Sequence, residues 1–128
     1  MIKPTESELG ILQVLWQIGA ATVRAVNESL NKMSAKKTGY TTTLKLMQLM
    51  LEKGLLKRDT SERTHIYTAI VQESDVQRSL LDQFVNRAFR GSSAQLVMEA
   101  LGQNRASEAE LAEIKELIER IEQNKKQS

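Results

Sequence analysis

The sequence predicts a mostly α fold carrying one small β-hairpin, on three observations. Apolar residues recur at helical spacing through six segments. The one interruption, around residues 55–68, reads as two short β-prone runs about a polar turn. Capping pairs stand where helices should begin: Thr5 with Glu8, and Ser107 with Glu110.

The first helix follows the single proline, Pro4, with Leu9, Leu12, Leu15 and Trp16 on its packed side and Gly19 as its stop. Thr22 caps the second, whose expected buried stripe is Val23, Val26, Leu30 and Met33. The polar, basic stretch Asn31 to Gly39 reads as a loop. A third helix is expected from about Thr41 to Lys53, ended by Gly54. Leu55-Leu56-Lys57-Arg58 and Thr64-His65-Ile66-Tyr67-Thr68 then form the hairpin around Asp59-Thr60-Ser61-Glu62. Helix, helix, helix, hairpin is the order of a winged helix-turn-helix, an α+β winged helix.

After Val71 the pattern is helical throughout. Ser74 to Arg90 carries Val76, Leu80, Leu81, Phe84, Val85 and Phe89, and Gly91 breaks it. A shorter helix spans about Ser93 to Leu101. The last, opened by Ser107, sets Leu111, Ile114, Leu117, Ile118 and Ile121 along one side, with a frayed tail expected from Asn124 to Ser128. The expected organisation is a winged helix-turn-helix over 1–72 and a helical dimerisation segment over 73–128.

Composition limits the function classes. The chain has 128 residues and is 41% hydrophobic, with a mean hydropathy of −0.37, enough for one compact unit or two small ones. No apolar run is long enough to span a membrane, and MIKPTESE lacks the apolar core of a signal peptide. With no cysteine there is no disulfide and no thiolate metal site. A cytoplasmic location is expected. Residues 1–72 hold ten Lys/Arg against six Asp/Glu, whereas residues 73–128 hold eight against ten. A basic front and an acidic back fit a nucleic-acid module joined to a segment that does not touch nucleic acid.

The third helix carries the chemistry. Thr41, Lys45, Gln48 and Glu52 recur at steps of four, three and four, so they share one face, with Thr42 beside them. Leu44, Leu46, Met47, Met50 and Leu51 hold the other side to the fold. Short hydroxyls reach phosphates and base edges, Gln pairs with adenine, and Lys meets phosphate or guanine. The backbone amides at Tyr40 to Thr43 add an anion-friendly helix start. A merely solvated face would look similar, but this one stands between two basic segments. Arg63 at the hairpin tip, with Lys57 and Arg58 on its first strand, is placed for the DNA backbone or minor groove; a wet hairpin tip is also charged for no functional reason. His65, the single histidine, reads as a wing or packing residue on a strand. No Ser/His/Asp set assembles around it and no glycine loop cradles phosphate, so no catalytic residue, cofactor or metal is expected. The C-terminal helices carry more apolar surface than they can hide alone. Leu81, Phe84, Phe89, Ile114, Leu117, Ile118 and Ile121 are the expected dimer contacts; packing back on the winged helix is the alternative.

Tyr40-Thr41-Thr42, Gln48, Glu52-Lys53-Gly54-Leu55, Arg63 and Tyr67 resemble the penicillinase repressor family, the BlaI/MecI/CopY type. Thr5-Glu6-Ser7-Glu8-Leu9 with Val14-Leu15-Trp16, and Phe84 through Ser92, resemble it too. The likeness runs over nearly the whole chain. It implies a homodimeric winged-helix repressor that binds a palindromic operator in double-stranded DNA. The contacts it implies are Thr41, Thr42, Lys45 and Arg63, with Tyr40 at the helix entry. Lys45 and Leu49 depart from the residues common in relatives, which leaves operator preference open and Leu49 off the contact set. The family also implies relief by a membrane-bound sensor metallopeptidase cutting near Asn86, Arg87, Ala88 and Phe89. Read without the family, those residues favour a plain helix packing at the dimer interface over a specific protease site. The copper-responsive, cysteine-based branch is excluded. Two other readings stay open: a ligand-sensing winged-helix regulator of the PadR or MarR type, and a winged helix that binds protein.

Overall fold

The computed structural model describes residues 3–127. Its order is α1 (Glu6–Ile18), α2 (Val23–Met33), α3 (Tyr40–Glu52), β1 (Leu56–Asp59), β2 (Ile66–Ala69), α4 (Glu73–Ala88), α5 (Ser93–Gly102) and α6 (Glu108–Gln127). The winged-helix arrangement is present. Compact units divide between Leu81 and Asp82, within α4.

Both expected capping boxes form. The Glu8 amide donates to Thr5 Oγ1 and the Thr5 amide returns a bond to Glu8 Oε1; Ser107 and Glu110 do the same for α6. Gly19 takes φ +81° at the end of α1, a conformation that L side chains resist. Thr22 caps α2 by accepting from the Ala25 amide.

The first unit is built on one apolar cluster. Ile11, Leu12, Val14 and Leu15 of α1 meet Val23 and Val26 of α2, Met47 and Met50 of α3, and Leu55, Leu56 and Tyr67 of the hairpin. β1 and β2 pair antiparallel, Leu56 opposite Ala69 and Asp59 opposite Ile66. Ala21, between α1 and α2, adds a bridge to Tyr67 through two backbone hydrogen bonds of 3.0 and 2.8 Å. This bridge ties β2 to the α1–α2 connection one register step from the turn, so the turn at 60–65 projects from a fixed base. Trp16 Nε1 donates to the Val71 carbonyl at 3.0 Å, holding α1 to the chain that enters α4.

Four expectations need correction. Met33 is 61% exposed and lies outside the α2 stripe, because it ends the helix where the chain turns toward α3. The loop begins at Ser34, since α2 continues through Asn31 to Met33. The hairpin turn spans residues 60–65, so His65 is an exposed turn residue and not a strand residue. The end of α6 is helical to Gln127 where fraying was expected, its last turn carrying Lys125 and Lys126 against the helix dipole; Ser128 lies outside the described residues.

Candidate nucleic-acid interface

The tip of α3 is positioned by two asparagines one helical turn apart on α2. Asn27 Nδ2 donates to the Thr38 carbonyl at 2.9 Å and to Thr43 Oγ1 at 2.8 Å. Asn31 Nδ2 donates to the same carbonyl at 3.0 Å, and its Oδ1 accepts from the Thr38 amide at 2.7 Å. Thr43 is fully buried, so this network fixes both the loop end and the first turn of α3. The apolar and hydroxyl patterns did not point to these asparagines; their i, i+4 spacing just before a polar loop was the available signal.

At its far end α3 is held by charge. Lys53 Nζ donates to Glu8 Oε2 at 2.8 Å, and Glu8 is only 2% exposed. Burial pushes the Glu8 carboxyl up. The Lys53 hydrogen bond, the Thr5 backbone amide and the Lys53 charge outweigh it and leave the carboxyl below its ordinary 4.5.

Between these anchors Thr43, Met47 and Met50 face inward and are buried, while Tyr40, Thr41, Thr42, Lys45 and Gln48 are exposed. At 100° per residue, Thr41, Lys45, Gln48 and Glu52 form one outward strip. Leu49 is also exposed, at 41%, and flanks that strip. Gly39, the N-cap, supplies no side-chain acceptor, so the first amides of α3 remain open to an anion.

Arg63 lies in the hairpin turn and is exposed. It shares a cleft with Tyr40, together with Thr22, Arg24, Thr64 and His65. Lys57 and Arg58 line a different cleft with Asp59 and Thr60, and Thr42 faces a groove shared with Glu6, Ser7 and Thr38. The structure thus joins Arg63 to the entry of α3 and sets Lys57 and Arg58 apart from it. Arg24 was missed by sequence reading. Its guanidinium carbon lies 5.5 Å from the centre of the Tyr40 ring.

In the second unit Phe84 and Phe89 meet edge to face at 5.8 Å. Neither α5 nor α6 has a buried residue. Leu81, Phe84, Leu117, Ile118 and Ile121 are each about half exposed, and Ile114 and Phe89 are partly covered. Asn86, Arg87 and Ala88 are exposed at the end of α4, where Arg90 (φ 52°) and Gly91 (φ 85°) turn the chain away from helix. Among the described residues no helix is long and apolar enough to cross a membrane, and no group of metal-ligating side chains stands together.

Residues 4–120 match the profile of the penicillinase repressor family. The penicillinase repressor of Bacillus licheniformis is 26% identical over 124 residues, covering 96% of this chain and 94% of that one. The methicillin resistance regulatory protein MecI of Staphylococcus aureus (strain N315) is 20% identical over 114 residues, covering 89% and 91%. Among solved structures, RosR of H. salinarum shares the fold with a TM-score of 0.53 at 17% identity, over 78% of this chain and 91% of that one.

Proposed function

The chain belongs to the penicillinase repressor family, and on that premise we propose that it is a cytoplasmic, homodimeric transcriptional repressor that binds a palindromic operator. Repressors of this family are not enzymes, and catalysis forms no part of the reading. The observation that carries it is the two-sided packing of α3: Met47 and Met50 seal one side while Thr41, Lys45 and Gln48 stand in solvent on the other. A helix so divided can enter a major groove without disturbing its own core. Thr41, Thr42 and Gln48 would meet base edges or phosphates, Lys45 phosphate or guanine, and Arg63 the backbone beside the groove, with Tyr40 at the entry.

Residues 1–72 read the DNA in this proposal, and residues 73–128 pair two copies. Leu81, Phe84, Phe89, Ile114, Leu117, Ile118 and Ile121 supply the mutual apolar surface. Pairing holds two recognition helices about one duplex turn apart, roughly 34 Å, so that each enters a successive major groove. Occupied promoters exclude polymerase. Relief comes by loss of the dimer, through a membrane-bound sensor metallopeptidase cutting at Asn86 to Phe89. Asn86 to Ala88 are exposed in the last turn of α4 and the chain leaves helix at Phe89, so a protease meets there a helix end, which frays more readily than a helix interior.

Selection from a random duplex pool, followed by footprinting, tests the reading. Expected is a two-fold symmetric site whose halves are centred about 10 base pairs apart, bound with steep salt dependence. Failure to retain any duplex at low salt would overturn it. Incubation with the peptidase encoded beside the gene tests relief; a product mass placing the cut within 86–89 is expected, and an intact chain refutes that step.

A further inference from the structure

The cleft between the start of α2, the entry of α3 and the hairpin turn has a charge character that the recognition strip alone does not need. It measures about 570 Å³ and is lined by Thr22, Arg24, Tyr40, Arg63, Thr64 and His65, with no carboxylate in its wall. Arg24 and Arg63 come from elements far apart in sequence. Among the described residues neither has an ion-pair partner. Two guanidinium groups on one concavity with no counter-charge in its wall make it a favourable place for an anion.

We propose that this cleft is a clamp for a backbone phosphate of duplex DNA, with Arg24 as its principal ligand and Tyr40 as the platform that orients it. This inference rests on the DNA-binding reading and adds a contact to it. The guanidinium carbon stands over the Tyr40 ring, 5.5 Å from its centre, a cation–π contact that restrains the group while no ion pair among the described residues engages its N–H edge. A planar fork held this way loses little freedom on binding phosphate, and two parallel N–H bonds to one phosphate suit it. Arg63 and Thr64 close the opposite wall, and His65 and Thr22 add further side chains able to donate. The clamp lies beside the first turn of α3, so a phosphate seated there fixes how far the recognition strip advances along the groove. Tyr40 therefore acts here as a positioning residue for Arg24, in addition to standing at the helix entry.

The test uses the full chain and a labelled 20-base-pair duplex of arbitrary sequence, titrated by anisotropy from 50 to 200 mM salt. Arg24→Ala should lower the slope of log K against log[salt] by about one unit. Arg24→Lys should restore the slope but not the full affinity, because lysine keeps the charge and loses the planar fork. Arg78→Ala, removing an exposed arginine on α4, serves as the charge control and should leave the slope unchanged. Tyr40→Leu should weaken wild-type binding while leaving Arg24→Ala no weaker than before, as expected when one residue acts through the other. A wild-type slope in a folded Arg24→Ala variant would overturn the clamp and leave the repressor reading standing. Absence of salt-dependent duplex binding by wild type would overturn that reading itself. If inorganic phosphate alone at millimolar concentration shifts the Arg24 and Tyr40 amide resonances and the duplex does not, the cleft is a small-anion site and the proposal fails.

Discussion

Lys45 and Arg63 are the cations whose removal most directly tests how α3 meets DNA, because both are exposed and neither has an ion-pair partner among the described residues. Replacing either with alanine takes nothing from the apolar core, so thermal unfolding should stay within about 0.5 kcal/mol of wild type. Duplex affinity should fall for both. A residue that touches only phosphate lowers the salt slope by about one and weakens all sequences alike, whereas one that meets guanine costs about 1–3 kcal/mol at a single base position. Arg63→Ala is expected in the first class. If Lys45→Ala leaves sequence preference in the selected pool unaltered, Lys45 belongs there too. The strip was legible because it depends only on helical period: Thr41, Lys45 and Gln48 share a face in any α-helix through those positions. Arg24 was not legible, since its partner Tyr40 lies sixteen positions on and is brought near only by the packing of α2 on α3. Met33 and His65 were misplaced for a related reason; each sits at the margin of an element, where pattern fixes type better than boundary.

The aim of α3 depends on contacts at both of its ends. The Asn27–Asn31 network orders the turn before it, and the Glu8–Lys53 pair holds its last turn to the start of α1. Asn31→Ala leaves the Thr38 amide without its acceptor and one donor fewer on the Thr38 carbonyl. About 1–3 kcal/mol of stability should go with it, read as a lower urea midpoint at unchanged m-value. The Glu8 pair gives a pH signature. Its folded carboxyl titrates below the ordinary 4.5, so the ionised form contributes stability above that pH. The contribution disappears as pH falls through the lowered folded value. Glu8→Gln should therefore be less stable than wild type at pH 7, and the gap should narrow below about pH 4.5. Equal gaps at pH 7 and pH 3 in urea titrations would remove the ion pair from the account. The capping role of Glu8 could be read from Thr5-x-x-Glu8, because a capping box is local. Its second role could not, because Lys53 lies forty-five residues away and is reached only through the fold.

Across the whole chain, the two compact units differ in how much apolar surface they conceal. The first closes a core around Ile11, Val26, Met47 and Tyr67, whereas α5 and α6 bury no residue. Leu117, Ile118 and Ile121 lie within two turns of α6 at 46–48% exposure, and Phe84 is 54% exposed. Apolar residues at regular helical spacing that stay wet suit a face for another protein surface, and in the proposed dimer a second copy of this chain covers it by symmetry. A dimer of ordinary strength buries about 800 Å² per partner, and charge at the centre of such a face is poorly tolerated. Leu117→Asp combined with Ile121→Asp should thus give a protein that sediments as a monomer while α1–α3 and the hairpin keep their fold. Such a monomer engages one half-site at a time and loses the gain of a linked second contact, on the order of 10²- to 10⁴-fold. Affinity for a two-half-site duplex should fall to that for a single half-site, with the salt slope roughly halved, since half the phosphate contacts go with the absent partner. Total helix signal in far-UV circular dichroism should stay close to wild type if the protomers have only separated, whereas unfolding of the 20-residue α6 would lower it. A doubly substituted protein that still sediments as a dimer would place the mating surface elsewhere, and the steric argument for two recognition helices at one-turn spacing would have to be rebuilt from that other face.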